Sequence, residues 1–282
     1  MSIENSIIDS HQHLLYPTKF NYQWVAGFPV LQKAFKIQDY WDATKVTGIA
    51  GSIFVEVDVE ENQQGDEARF ICELAEKPEA KILGVIASGR PENSDFKDYI
   101  RTIKHPKLKG IRRIFHTISG ELPINHNFLE NVKFLGESNL SFDICALPEQ
   151  FHALLPLIEH CPETSFIVNH CGIPPISSGD ISAWKEKLAM LAAQPNVYCK
   201  VSGIVAYCNE GTVSVETLRP WFDNVVELFG HERLIFGGDW PVCNLSSSIA
   251  SWKEIAAQLI NEFDEQQKQA FWSLNAISIY KL

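Results

Sequence analysis

Asp9-Ser10-His11-Gln12-His13 brings an acid and two imidazoles into one short stretch at alternate positions. Successive side chains of an extended chain point to opposite sides, so Asp9, His11 and His13 are expected on one face. Two imidazoles so placed can share one divalent ion or one anionic substrate group. Their plainer alternative is a pair of loop histidines bonded to the backbone. Val168-Asn169-His170-Cys171-Gly172 puts a further histidine after an apolar run, and the following Ile173-Pro174-Pro175 forces a loop that leaves His170 at a rim. Phe236-Gly237-Gly238-Asp239-Trp240-Pro241 reads in the same way, with Asp239 as an exposed carboxylate rather than a turn or helix cap. In Ile111-Arg112-Arg113-Ile114-Phe115-His116, alternation sends only one of Arg112 and Arg113 inward to bind substrate. The other is expected to pair with a carboxylate of an outer helix.

These side chains need a frame. Strand-like runs are expected at Ile7–His11, Ala50–Val57, Ile82–Ala87, Lys109–Phe115, Ser141–Ala146, Ser165–His170, Val197–Ser202 and Arg233–Gly238. Amphipathic stretches alternate with them. Gln150–His160 carries Phe151, Leu154, Leu155 and Ile158 at helical spacing, and Glu216–Gly230 carries Leu218, Phe222, Val225, Val226 and Phe229. Asp264 with Gln267 predicts an N-cap and its capping-box partner, opening a helix with Phe271, Leu274 and Ile277 on one stripe. About eight β-then-α units in such a chain is the rhythm of an α/β protein with a single (β/α)8 TIM barrel over residues 1–282. An open doubly wound sheet would want a glycine-rich first βα turn. Here His11-Gln12-His13 follows the first strand instead, which argues against nucleotide binding. In a barrel the chemistry sits at the C-terminal ends of the strands, where these histidines, acids and arginines fall.

Composition narrows the partner. Lys and Arg number 24 against 35 Asp and Glu, a net charge of −11, so the chain has no cationic excess with which to release counterions from a nucleic-acid backbone. Apolar residues make up 45%, enough for a sizeable core. No apolar run approaches the ~20 residues of a membrane-spanning helix. Met1–Ser10 lacks a basic region and a long apolar region, so no signal peptide is expected. The seven cysteines are scattered and form no CxxC, which suits free thiols in a reducing cytoplasm.

Taken together, Ile8-Asp9-Ser10-His11-Gln12-His13, Lys109-Gly110-Ile111-Arg112-Arg113, Val168-Asn169-His170-Cys171-Gly172-Ile173-Pro174, Lys200-Val201-Ser202-Gly203 and Phe236-Gly237-Gly238-Asp239-Trp240-Pro241 resemble the amidohydrolase superfamily. More closely, they resemble its branch of sugar-lactone hydrolases and 2-pyrone-4,6-dicarboxylate lactonase. The resemblance runs from the first strand to Asn275-Ala276. It implies a hydrolase that opens the ring of a small lactone, with Asp239 as the base that activates water. His170 and the arginine after strand four would hold substrate oxygens. Should one Zn²⁺ or other divalent ion be bound, the resemblance makes His11, His13 and Asp239 its ligands, with His170 as a fourth. Metal-dependent relatives usually add a Lys or Glu after strand four, or a His after strand five. Strand five here ends Asp143-Ile144-Cys145-Ala146-Leu147, Lys109 stands at the wrong end of strand four, and Lys200 has no assigned role. A two-metal centre is therefore not expected, and no metal is expected to be obligatory.

A lactone carbonyl is already electrophilic, so donors among His11, His13, His170 and an arginine are expected to suffice for the developing oxyanion. A related metal-dependent decarboxylase would want the missing strand-five histidine. A non-catalytic barrel that binds a carbohydrate acid would gain nothing from Asp239 facing its anionic ligand. The loop Leu14–Lys33, with Tyr22, Trp24, Phe28 and Pro29, is expected to fold over the barrel mouth. Trp24 and Trp240, with Tyr207, are expected to stack on the substrate ring.

Overall fold

In the computed structural model, which describes residues 6–282, the apolar runs form eight parallel strands. They are β1 (Ile7–Gln12), β2 (Ile49–Val55), β3 (Ile82–Ser88), β4 (Leu108–Ile114), β5 (Ser141–Cys145), β6 (Phe166–Val168), β7 (Val197–Val201) and β8 (Leu234–Phe236), each paired with the next in chain order. Residues beyond β8 close the ring. Gln12 bridges Trp240, Asp239 N–H donates to the His11 carbonyl (2.7 Å), and His13 N–H donates to the Trp240 carbonyl (2.8 Å). The reading of Met1–Ser10 as free of a leader rests partly on residues outside those described.

Eight helices follow the strands in turn: α1 (Ile37–Thr44), α2 (Gln64–Ala75), α3 (Phe96–Thr102), α4 (His126–Glu137), α5 (Phe151–His160), α6 (Ile181–Ala192), α7 (Val215–Phe229) and α8 (Ile249–Leu259). Their sequence signals are visible. The Ser214 hydroxyl accepts from Thr217 N–H to start α7, and Gly230 at φ 67° ends it. Leu218, Phe222, Val225 and Phe229 of α7 are buried against the barrel, as their spacing requires.

The strand interior is layered. Ile8, Ile53, Val55, Ile86, Ile167 and Ile235 cluster with Ala276, Ile279 and Tyr280 of the C-terminal helix, separately from the main core packed between strands and helices. The capping box at Asp264 and Gln267 opens α9 (Glu265–Gln269). The expected Phe271–Leu274–Ile277 stripe does not continue from there. Ala270–Leu274 is a π turn, which shifts the phase, so Phe271, Ala276, Ile279 and Tyr280 of this segment and α10 (Asn275–Tyr280) are the buried hydrophobic residues, while Leu274 and Ile277 are only half-buried.

β6 and β8 are shorter than expected. The chain leaves the extended conformation at His170 (φ 54°) and Asp239 (φ 54°), so neither strand runs on through its chemical residue. All seven cysteines are free, and among the described residues no helix is long and apolar enough to cross a membrane.

Candidate active site

The strand ends enclose a cavity of about 360 Å³ lined by His13, Arg112, His170 and Asp239, with Trp24 and Phe28 of the aromatic loop and Tyr207 alongside. Trp24 is tied down by its indole N–H on the Val57 carbonyl (2.8 Å). The volume falls within the range of small-molecule sites.

Barrel closure sets the central geometry. The backbone bonds between residues 239–240 and β1 bring Asp239 Oδ1 to 3.3 Å from His13 Nε2 and 3.6 Å from His11 Nε2, while the two Nε2 atoms lie 3.1 Å apart. His170 completes the group, its ring 4.6 Å from that of His11, and one donor atom each of His11, His170 and Asp239 lies within 4.8 Å of the others. Gly203 makes this packing available. A Cβ there would stand 2.4 Å from His170 Nδ1 and 2.7 Å from Asp239 Oδ2, and the backbone φ of +64° favours glycine on its own account.

Protonation follows from the contacts. His13 Nδ1 lies 2.8 Å from the Val55 carbonyl, which only accepts, so Nδ1 carries the hydrogen and a neutral His13 presents a lone pair at Nε2. Burial pushes the His11 imidazole well below its usual range, helped by the charges of Lys200 and the neighbouring imidazoles. Burial also pushes His170 down to about 4, against the opposing charge of Asp239. Both rings are therefore neutral at pH 7.

The donor set fits one divalent ion. Ligands of a tetrahedral Zn²⁺ at bond lengths of 2.0–2.1 Å lie about 3.3 Å apart, and the triangle of His11 Nε2, His13 Nε2 and Asp239 Oδ1 has edges of 3.1, 3.3 and 3.6 Å. His13 Nε2 and the carboxylate both turn acceptor lone pairs into the same small space. His11 Nδ1 is buried without a hydrogen-bond partner among the described residues.

The two arginines part as alternation requires. Arg112 points inward, where its Nε donates to Glu56 Oε1 (2.6 Å), its Nη2 to the Glu56 carbonyl (2.7 Å), and its Nη1 approaches His11 Nε2 (3.4 Å). Burial would raise the Glu56 carboxyl, but the charge and hydrogen bond of Arg112, the Asp58 N–H and the Arg90 charge together outweigh it and hold the group below its ordinary range. Arg113, expected as the alternative substrate-binding arginine, does not line the cavity. Its Nη2 donates to Glu92 (2.6 Å), a loop acid rather than the expected helix acid, and its Nη1 to the Ile114 carbonyl.

Trp240, expected to stack on the substrate ring, does not line the cavity either. It is 3% exposed and packs edge-on against Phe35 and Tyr40 under the aromatic loop. Asp9 is turned away from the two histidines. The β1–β2 register shifts between Asp9 and Gln12, breaking the alternation, and the carboxylate accepts from Tyr40 of α1 and from the N–H groups of His11 and Gly238. Burial raises Asp9 to about 6. It is a brace between β1 and the closing segment. Lys200 lies beneath the site, its Nζ 2.8 Å from Asp143 Oδ2.

Glu56, Asp58 and Ser202 were not singled out from the sequence. Glu56 and Asp58 follow an apolar strand, the same signal that marked Asp239, but extending the second strand to Val57 hides it. Ser202 Oγ lies 3.0 Å from His170 Nδ1.

The family described as "Amidohydrolase" matches residues 8–282. An L-fucono-1,5-lactonase of Burkholderia multivorans is 27% identical over 98% of this chain and 96% of its own length. One of Burkholderia ambifaria is 26% identical over 87% of this chain and 83% of its own. Among solved structures, an amidohydrolase from Burkholderia multivorans with bound Zn superposes with a TM-score of 0.89 at 24% identity, covering 98% of this chain and 99% of that one.

Proposed function

The chain belongs to the amidohydrolase family, and from that premise we infer that it opens the ring of a small sugar lactone by attack of water. The observation that carries this reading is the Asp239 carboxylate, held by barrel closure against His11 and His13 at the floor of a sugar-sized cavity. The lactonase names of its relatives supply the substrate class.

In the reaction, water attacks the lactone carbonyl carbon and gives a proton to Asp239. The C–O bond of the ring then breaks, the ring oxygen takes up a proton, and a hydroxy acid results. His170 is neutral and lines the cavity. If it accepts the Ser202 hydroxyl at Nδ1, its Nε2–H is left to bond the carbonyl or the leaving oxygen. Arg112 adds positive charge beside His11. Trp24 and Phe28 give the sugar ring an apolar wall.

His11, His13 and Asp239 would hold one divalent ion, and His170 would serve as a fourth ligand only in the other tautomer, with its hydrogen on Nδ1 toward Ser202. Such an ion supplies Lewis-acid polarisation of the carbonyl and a lowered pKa for bound water. The converging lone pairs favour its presence, against the expectation from sequence that no metal is obligatory. The seven free thiols support a reducing, cytoplasmic setting.

A panel of aldonolactones assayed by acid release tests the reading, alongside measurement of metal content and of the thermal midpoint before and after dialysis against a chelator. Turnover of a sugar lactone is expected, with about one ion per chain and a lower midpoint once it is removed. No turnover across the panel overturns the lactonase reading. A metal-free protein with an unchanged midpoint overturns the ion.

A further inference from the structure

The cavity contains one guanidinium, and it is already engaged. Glu56 takes both Arg112 Nε and Nη2, and the third nitrogen faces His11. Among the described residues, no second Arg or Lys lines the cavity to meet a substrate carboxylate. Such a carboxylate does find Asp58, two residues beyond Glu56, which lines the same cavity. The Asp58 carboxylate makes no hydrogen bond or close ion pair with any described residue. Asp58 also lines an outer recess with Trp24, Glu60 and Glu61, so it stands where the two spaces meet. Of the two outer acids, Glu61 pairs with Arg90 at 3.7 Å, while Glu60 bonds only the neutral amide of Gln23 among the described residues.

Resting on the lactone reading above, we propose that Asp58 is the charge-selecting residue of this site. Its carboxylate accepts hydroxyl hydrogens of an uncharged polyhydroxy lactone, disfavours lactones that carry a carboxylate, and repels the hydroxy-acid product. Ring opening turns a neutral substrate into an anion, so the same charge that admits the substrate drives the product out. Asp58 has a φ of +48°, a conformation that asparagine tolerates as well as aspartate, so Asp58→Asn removes the charge while keeping the backbone.

The test compares a neutral six-carbon aldonolactone with the matched lactone whose terminal carbon is a carboxylate, in the wild type and in Asp58→Asn. The wild type is expected to prefer the neutral lactone by about 100-fold in kcat/KM, and the variant by about tenfold less, as fits like charges a few ångströms apart near a surface. Inhibition by the aldonate product is expected to tighten about fivefold in the variant. In the wild type, added salt should narrow the preference without any substitution. Equal preference and equal product inhibition in both proteins would overturn the role of Asp58 and leave the lactonase reading standing. A wild type that hydrolyses neither lactone would sink both.

Discussion

Two clusters of buried charge lie one above the other in this barrel, and they are built differently. In the lower one, Asp143 takes Lys200 Nζ at 2.8 Å, the Asn169 amide at 2.9 Å and the Tyr280 hydroxyl at 3.3 Å. Both charged side chains are fully buried. In the upper one, Asp239 Oδ1 meets histidine nitrogens at 3.3 and 3.6 Å, and among the described residues its neighbour His11 leaves Nδ1 unpartnered. The lower cluster matches a buried cation with a buried carboxylate away from the cavity and reads as structure, although Asn169 Oδ1 has no partner among the described residues. The upper one sets a carboxylate against imidazoles at the cavity wall. Burial and an unpartnered polar atom do not separate the two; charge pairing and access to the cavity do.

Breaking the Glu56–Arg112 pair should cost as much stability as any change to either cluster. Glu56→Gln leaves Arg112 buried without its counter-charge, at an expected cost of about 3–5 kcal/mol measured by denaturant unfolding at pH 7. The pH dependence carries the signature. The folded-state carboxyl of Glu56 is held below its ordinary 4.5, so its contribution is complete above that value and is lost as pH falls through the folded value. That acid-side slope should be smaller in the variant. An unchanged slope would separate Glu56 from acid stability.

Gly203→Ala sharpens the contrast from the other side. The three atoms nearest the added methyl all belong to His170 and Asp239. Its backbone penalty is about 1–2 kcal/mol, so a midpoint shift of a few degrees is expected together with a loss of about tenfold or more in kcat. A full loss of folding would show that the glycine serves the barrel rather than the site. The smallest effect belongs to Arg113→Ala, which removes the Glu92 pair outside the cavity and should change kcat/KM less than about threefold. A large rise in KM would return Arg113 to the substrate.

His11, His13, His170 and Asp239 were legible in the sequence because each stands at the end of an apolar run where a barrel exposes its chemistry. The eight strands were legible for the same reason, since buried parallel strands read as short β-branched runs. Asp9 was misread because a register shift between β1 and β2 is invisible to strict alternation. Trp240 was misread because an aromatic beside a catalytic-looking acid reads equally well as a stacking platform and as a packed core residue. The π turn at Ala270–Leu274 displaced the last helical stripe, and no local residue announces it. Glu56 and Lys200 needed their partners to be seen: their roles reside in contacts with Arg112 and Asp143, far away in the chain.

The central claim is that the upper cluster performs chemistry and the lower one holds the fold. Asp239→Asn and Asp143→Asn, measured side by side for kcat on an aldonolactone and for thermal midpoint, test it most directly. Asp239→Asn is expected to lose about 10²-fold or more in kcat and to keep its midpoint within a few degrees. Asp143→Asn is expected to lower the stability by about 3–5 kcal/mol, because Lys200 then lies buried without a counter-charge, while its folded fraction turns over substrate at a rate near that of the wild type. Near-normal turnover by Asp239→Asn, or an inactive but fully stable Asp143→Asn, would contradict the account.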